Sequence, residues 1–128
     1  MKTNINVHIE NALTTIGIPT SVKGFSYLKE AIRIVAASKS PFTPAVKDVY
    51  PKIAKKFKTK SINVEKAVRT AIEACWNQQK PEKVNKILGE DYYSPREKPG
   101  NKEFITLCSY KVKAKVEKEK ESDSKKEM

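Results

Sequence analysis

The run from Val64 to Trp76 constrains this chain more than any other stretch. Val64, Ala67, Val68, Ala71, Ile72, Cys75 and Trp76 recur at i, i+3 and i+4 without a break. Such spacing puts every apolar group on one face of an α-helix, and it does not alternate as a strand must. Most of the chain repeats the pattern. Ile5, Ile9, Ala12, Leu13 and Ile16 mark a helix over 4–16 that stops at Gly17 and Pro19. Phe25, Leu28, Ile32 and Val35 mark a second over 22–38, interrupted by Ser40-Pro41. Thr43 before Pro44 has the form of an N-cap followed by proline at the first helical position. Val46, Val49, Tyr50, Ile53, Ala54 and Phe57 then form a third stripe, in which Pro51 either kinks the helix or opens its regular part.

Lys58-Thr59-Lys60-Ser61 makes a polar break, with Ser61 as the expected N-cap of the fourth helix, which Lys80-Pro81 ends. A short helix over 82–88 uses Val84, Ile87 and Leu88 and closes on Gly89. After a loop holding Tyr92 and Tyr93, Asn101 is placed to cap a last helix carrying Phe104, Ile105, Cys108 and Val112. No strand alternation or internal repeat appears. The expectation is an all-α fold, a compact bundle of about six helices over residues 1–115. The charged run over 116–128 is expected to be a frayed helix end passing into a disordered tail.

One histidine and two cysteines cannot furnish a zinc ribbon, a zinc finger or a histidine metal cluster. His8 is expected at the surface, while Cys75, Cys108 and Trp76 fall on apolar stripes and are expected in the core. No nucleophile–base pair and no phosphate-cradling glycine loop is present, so neither an enzyme nor a cofactor nor a small-molecule substrate is expected. The N-terminus lacks the apolar core of a signal peptide, and no segment approaches the ~20 apolar residues of a membrane span. A soluble cytoplasmic protein follows as the expectation.

The formal charge is +11, and its placement is uneven. Residues 39–69 hold nine cations (Lys39, Lys47, Lys52, Lys55, Lys56, Lys58, Lys60, Lys66 and Arg69) against Asp48 and Glu65, a net of +7. A Lys-rich segment can simply be a solvated face. Here it coincides with two helices joined by four polar residues, the outline of a helix-turn-helix. That motif needs a small residue where the helices cross, which Ala54 supplies, and a buried stripe on the second helix, which Val64, Val68 and Ile72 supply. Its outward N-terminal positions must reach base edges in a major groove. Asn63, Glu65, Lys66, Arg69 and Thr70 occupy those positions. Lys55, Lys56, Lys58, Thr59, Lys60 and Ser61 are placed to meet phosphates. Double-stranded DNA, bound by inserting helix 61–79 in the major groove, is the expected partner.

Several runs then carry a likeness to one family: Gly17-Ile-Pro, Lys23-Gly-Phe-Ser-Tyr-Leu-Lys-Glu-Ala-Ile, Val49-Tyr-Pro-Lys-Ile-Ala-Lys-Lys-Phe, Val64-Glu-Lys-Ala-Val-Arg-Thr-Ala-Ile-Glu-Ala-Cys-Trp and Asn101-Lys-Glu-Phe-Ile. Over about residues 10–112 the chain resembles the C-terminal DNA-binding domain of stage-zero sporulation protein A. The resemblance implies a six-helix effector domain reading a short DNA box, self-association on tandem sites, and regulation of transcription through RNA polymerase. Glu65 and Arg69 match the family's reading residues. Lys66 and Asn63 stand at family arginines, and Ile62 replaces a serine that would cap the helix with Glu65. Lysine does not reproduce bidentate arginine on guanine, and asparagine prefers adenine, so an altered or relaxed preference is expected. The family's polymerase-contacting surface corresponds to Lys83, Leu88 and Tyr92, in a region with Pro81 that departs from the family pattern. No receiver-domain pattern precedes the effector region, so the chain is expected to act alone. It would be either a constitutive DNA-binding regulator or a decoy module that pairs with a full-length relative or with polymerase.

Overall fold

The computed structural model describes residues 5–37, 46–78, 81–89 and 98–126. Six helices make up these segments: α1 (Ile5–Ile16), α2 (Lys23–Ala37), α3 (Val46–Lys56), α4 (Ser61–Trp76), α5 (Pro81–Leu88) and α6 (Asn101–Lys126). No strand occurs among the described residues, so the bundle is all-α as its periodicity requires. The Thr43-Pro44 cap and Tyr92 lie outside the described residues.

Each helix turns its stripe inward. Ile9, Leu13 and Ile16 of α1, Leu28 and Ile32 of α2, Ile53 of α3, Val64, Val68 and Ile72 of α4, and Phe104 and Ile105 of α6 are all essentially inaccessible. Burying a side chain of that size stabilises by about 1.5–3 kcal/mol, so this shared cluster supplies the main driving force for folding. α2 is central, packing against α1, α3, α4 and α6. Trp76 closes the α4 stripe inside the core. Both cysteines are buried free thiols. Burial pushes the Cys75 thiol up to about 11 and Cys108 higher still. They behave as small apolar groups rather than nucleophiles.

α1 stops as its glycine predicts. Gly17 adopts φ +111°, and the Ile18 N–H reaches back to the Leu13 carbonyl at 3.0 Å. α3 runs through Pro51 without ending there, with the ring on an exposed position.

Several expectations need correction. Phe57 lies past the end of α3 and is 39% exposed, with its ring edge-on to Tyr27 at 5.1 Å. Tyr27 takes the buried place on α2 that the spacing assigned to Phe25, which is only half-buried. His8 is not a surface residue: its side chain is 10% exposed, and its Nε2 pairs with the Glu119 carboxylate at 2.9 Å. That pair exists because α6 continues to Lys126, through the stretch expected to fray, so the helix spans about 39 Å. Val112 and Val116 extend its inner face past the first turns, and the His8–Glu119 pair carries the contact with α1 further.

α2 and α4 approach closely at Gly24. A Cβ built there would lie 2.4 Å from the Ala67 carbonyl oxygen and 2.6 Å from the Ala71 Cβ. Replacing helical glycine by alanine ordinarily gains about 0.5–1 kcal/mol. Here the added carbon meets backbone, which cannot swing aside, and overpacking of that kind costs about 1–3 kcal/mol. Gly24→Ala is therefore expected to destabilise, seen as a lower urea midpoint at unchanged m-value. A midpoint equal to or above wild type would refute the close contact.

Candidate nucleic-acid interface

The turn between α3 and α4 is four residues, Phe57 to Lys60, one position earlier than the sequence spacing placed it. Its geometry is that of a left-handed helix stop. Lys58 has φ +55°, and it alone among the described non-glycine residues has positive φ. The Thr59 N–H bonds the Ala54 carbonyl at 2.9 Å, and the Lys58 N–H reaches the Lys55 carbonyl at 3.4 Å. This is the paired bonding of a Schellman motif, with Lys58 where glycine is usual. Ala54 contributes here through its buried methyl and its carbonyl.

Ser61 is not the N-cap. Lys60 holds that place with extended backbone (φ −102°, ψ 149°) and makes no side-chain cap bond. Its carbonyl accepts from the Asn63 and Val64 N–H groups at 3.0 and 3.2 Å. The first N–H groups of α4 thus keep no side-chain acceptor, and the positive end of the helix faces outward among the turn lysines.

Beyond the turn, α4 buries Val64, Val68, Ala71, Ile72, Cys75 and Trp76. At 100° per residue the opposite face carries Ile62, Lys66, Arg69, Thr70 and Glu73, with Asn63 at one edge and Glu65 at the other. Asn63, Lys66, Arg69 and Thr70 are exposed, and Glu65 is half-exposed. Arg69 pairs with Glu65 at 3.2 Å across one turn. Such a surface pair is worth only about 0.3–0.5 kcal/mol, so its effect is to orient the guanidinium rather than to stabilise the fold. On the other edge the Asn63 amide donates to the Thr59 hydroxyl at 3.2 Å. Thr59 is thereby engaged with a residue at the edge of the outward face of α4.

The expected phosphate contacts divide. Lys55, Lys58 and Lys60 are exposed and join none of the ion pairs found among the described residues. Lys56 differs. Its ammonium lies 2.9 Å from the carboxylate of Glu30 on α2 and 5.8 Å from the Phe57 ring centre. Glu30 is buried and also bonded by Arg33. The bond from Arg33 and then that from Lys56 outweigh the cost of burial and hold the Glu30 carboxyl below the usual carboxylate range. Lys56 thus remains exposed but shares its charge with Glu30.

A further group at this face had no strong signal in the sequence. Asn101 is the first residue of α6, whose opening bond runs from the Phe104 N–H to the Gly100 carbonyl. Its amide donates to the Glu65 backbone carbonyl at 3.0 Å, tying α6 to the first turns of α4. Burial pushes the Tyr50 phenol up, partly offset by its bond with Asn101. Lys98 and Lys102 line the same open cleft as Glu65, Arg69 and Glu73. Only the basic residues flanking Asn101 could have hinted at this.

The residues expected to meet polymerase are not brought together as one exposed group. Lys83 is exposed, but Leu88 is buried in the core at 3% accessibility, because it belongs to the inner face of the short α5. Among the described residues no group of three or more His, Cys, Asp or Glu side chains could hold a metal ion, and no helix is long and apolar enough to cross a membrane.

Two outcomes follow from this geometry. Relief of about 1–2 kcal/mol of left-handed strain outweighs about 0.5–1 kcal/mol of added unfolded-state freedom. Lys58→Gly should therefore raise stability by about 0.5–1 kcal/mol in urea unfolding; a lowered midpoint would contradict the turn geometry. Glu30 titrates lower when folded than when unfolded (about 4.3). Its contribution is thus present above the unfolded value and is lost as pH falls through the folded one. Glu30→Gln should cost about 1–2 kcal/mol at pH 7, and the gap to wild type should close in acid below about pH 4. A gap independent of pH would rule out the ionic account.

Residues 9–112 match the family model described as sporulation initiation factor Spo0A C terminal. The match takes in all of α2 to α5, most of α1 and the first half of α6, so the turn, the outward face of α4 and the Asn101 tie all lie within it. The chain belongs to the Spo0A C-terminal family, a DNA-binding family of transcription regulators of sporulation.

Proposed function

We propose that this protein is a sequence-specific DNA-binding transcription regulator that inserts α4 in the major groove. The observation that carries the reading is the composition of α4's outward face. Arg69, oriented by Glu65, stands with Lys66, Thr70 and Asn63 on a rigid helix whose other side is wholly in the core. Long polar groups held this way suit hydrogen bonding to base edges. Lys55, Lys58 and Lys60, with the open N–H groups at the start of α4, suit phosphate oxygens beside them. Thr59 and Ser61 line the same turn and would contribute shorter phosphate contacts. Lys56 contributes least, because binding DNA through it would break its bond to Glu30.

A second reading is favoured by one feature. Asn63 and Lys66 replace two family arginines, which lowers the discrimination available to α4. The domain would then act by pairing with a full-length relative or with RNA polymerase, with little DNA specificity. Two copies bound on tandem boxes belong to the first reading.

The test is fluorescence anisotropy on a duplex enriched from random DNA and on its scrambled counterpart, at two salt concentrations. The regulator reading expects at least about tenfold preference, equivalent to about 1.4 kcal/mol, and weaker binding to both duplexes as salt rises. Arg69→Ala should erase most of the preference. Lys55→Ala should weaken both duplexes alike, and Lys56→Ala should do so less while also lowering stability. Equal binding to both duplexes would move the protein to the second reading.

A further inference from the structure

Ile62 is an exposed apolar residue on the otherwise polar outward face of α4. It is the second residue of α4 and is 49% exposed. A single exposed apolar residue is ordinary on a protein surface. Its position is what matters. On the α4 wheel Ile62 sits at the middle of the outward face, one turn before Lys66 and two turns before Arg69, with Asn63 next to it. It belongs to the N-terminal turn, the part of a recognition helix that approaches base edges most closely. The other exposed apolar residue nearby, Phe57, lies in the turn, with its ring packed on Tyr27, and is not on this face.

A branched aliphatic group pressed against a major groove faces a limited set of surfaces. Guanine, adenine and cytosine present donors and acceptors there, and each would lose water to Ile62 without gaining a hydrogen bond. The C5-methyl of thymine is the only apolar feature in the groove. We infer that Ile62 is a specificity residue that packs on a thymine methyl, adding apolar readout of a T·A pair to the polar readout by Lys66 and Arg69. This rests on the DNA-binding reading above. It also gives a chemical sense to the departures at this end of the helix. With Asn63 suited to adenine and Ile62 to thymine, the first turn of α4 is fitted to A·T pairs rather than to the guanines that arginine favours.

The experiment uses the full chain and a duplex enriched from random DNA, with each thymine replaced in turn by deoxyuridine, which removes only the methyl. At one thymine of the bound site, wild type should lose about three- to tenfold in affinity, the scale of one buried methyl with its packing. Ile62→Ala should bind the thymine duplex more weakly by a similar factor and show no further loss with deoxyuridine. Ile62→Val should retain part of the methyl dependence. Alanine removes the branched side chain and keeps a good helix former at this position. Circular dichroism should show the same helix content for all three proteins, as the position is outside the core. If no deoxyuridine weakens wild type, or if Ile62→Ala keeps the full methyl penalty, the inference is wrong while the DNA-binding reading stands. If no duplex is enriched over bulk DNA, both fall together.

Discussion

Backbone meets backbone where α2 crosses α4, and the placement of α4 depends on that crossing. Gly24 is the point of contact, with no room for a side chain between it and the Ala67 carbonyl. Alanines on α4 at 67 and 71 complete the close surface. Two helices that approach this nearly cannot slide or rotate without opening a gap, and an interior packed at crystal density does not tolerate gaps. α4 is fixed along its buried side by α2, and its outward side is therefore held at one orientation. A groove-reading helix needs that rigidity, since base-edge hydrogen bonds discriminate only when donors arrive at the right place.

The same helix is held at both flanks. In front of it, the α3–α4 turn is closed by backbone bonds and by Lys58 in a left-handed conformation, at some cost in strain. A glycine would relieve the strain and remove a cation, so stability and charge pull in opposite directions at this residue. Behind it, Asn101 reaches from the start of α6 to the Glu65 carbonyl. Proline and glycine at 99 and 100 deliver the chain to that point. The link adds a hydrogen bond to the apolar packing of α6, beside the cleft where Lys98 and Lys102 stand with Arg69.

Much of this was legible in the sequence because apolar periodicity is a local signal. The stripes of α1, α4 and α6 follow from the spacing, with only Ile5 and Ala67 left partly buried, since each helix buries one continuous face. α2 is less legible: its buried face includes Tyr27, whose ring packs on Phe57 from the α3–α4 turn, a pairing that no local spacing reveals. Phe57 was misplaced for the same reason, as the helix ends one residue before it. The outward face of α4 followed directly from its inward one. What did not follow was how the charges pair. Glu30 and Lys56 are 26 positions apart, and only the packing of α2 on α3 makes one the partner of the other. His8 and Glu119 are 111 apart, and their pair depends on α6 continuing through a run of charges that looks too polar to hold a helix. A charged stretch can stay helical when a packed helix leads into it, because propagation needs only one new bond per residue once the first turns are formed.

The Glu30–Lys56 pair decides how the basic patch should be counted. A lysine count treats every cation in 39–69 as available to a polyanion. A carboxylate that is both buried and bonded to two cations withdraws part of that charge, and it does so at the base of the turn where phosphates would lie. In exchange it ties α2 to the end of α3, so the turn lysines start from a fixed platform. Losing one phosphate contact lowers affinity for all DNA alike, whereas a loosened platform would blur the geometry on which discrimination rests.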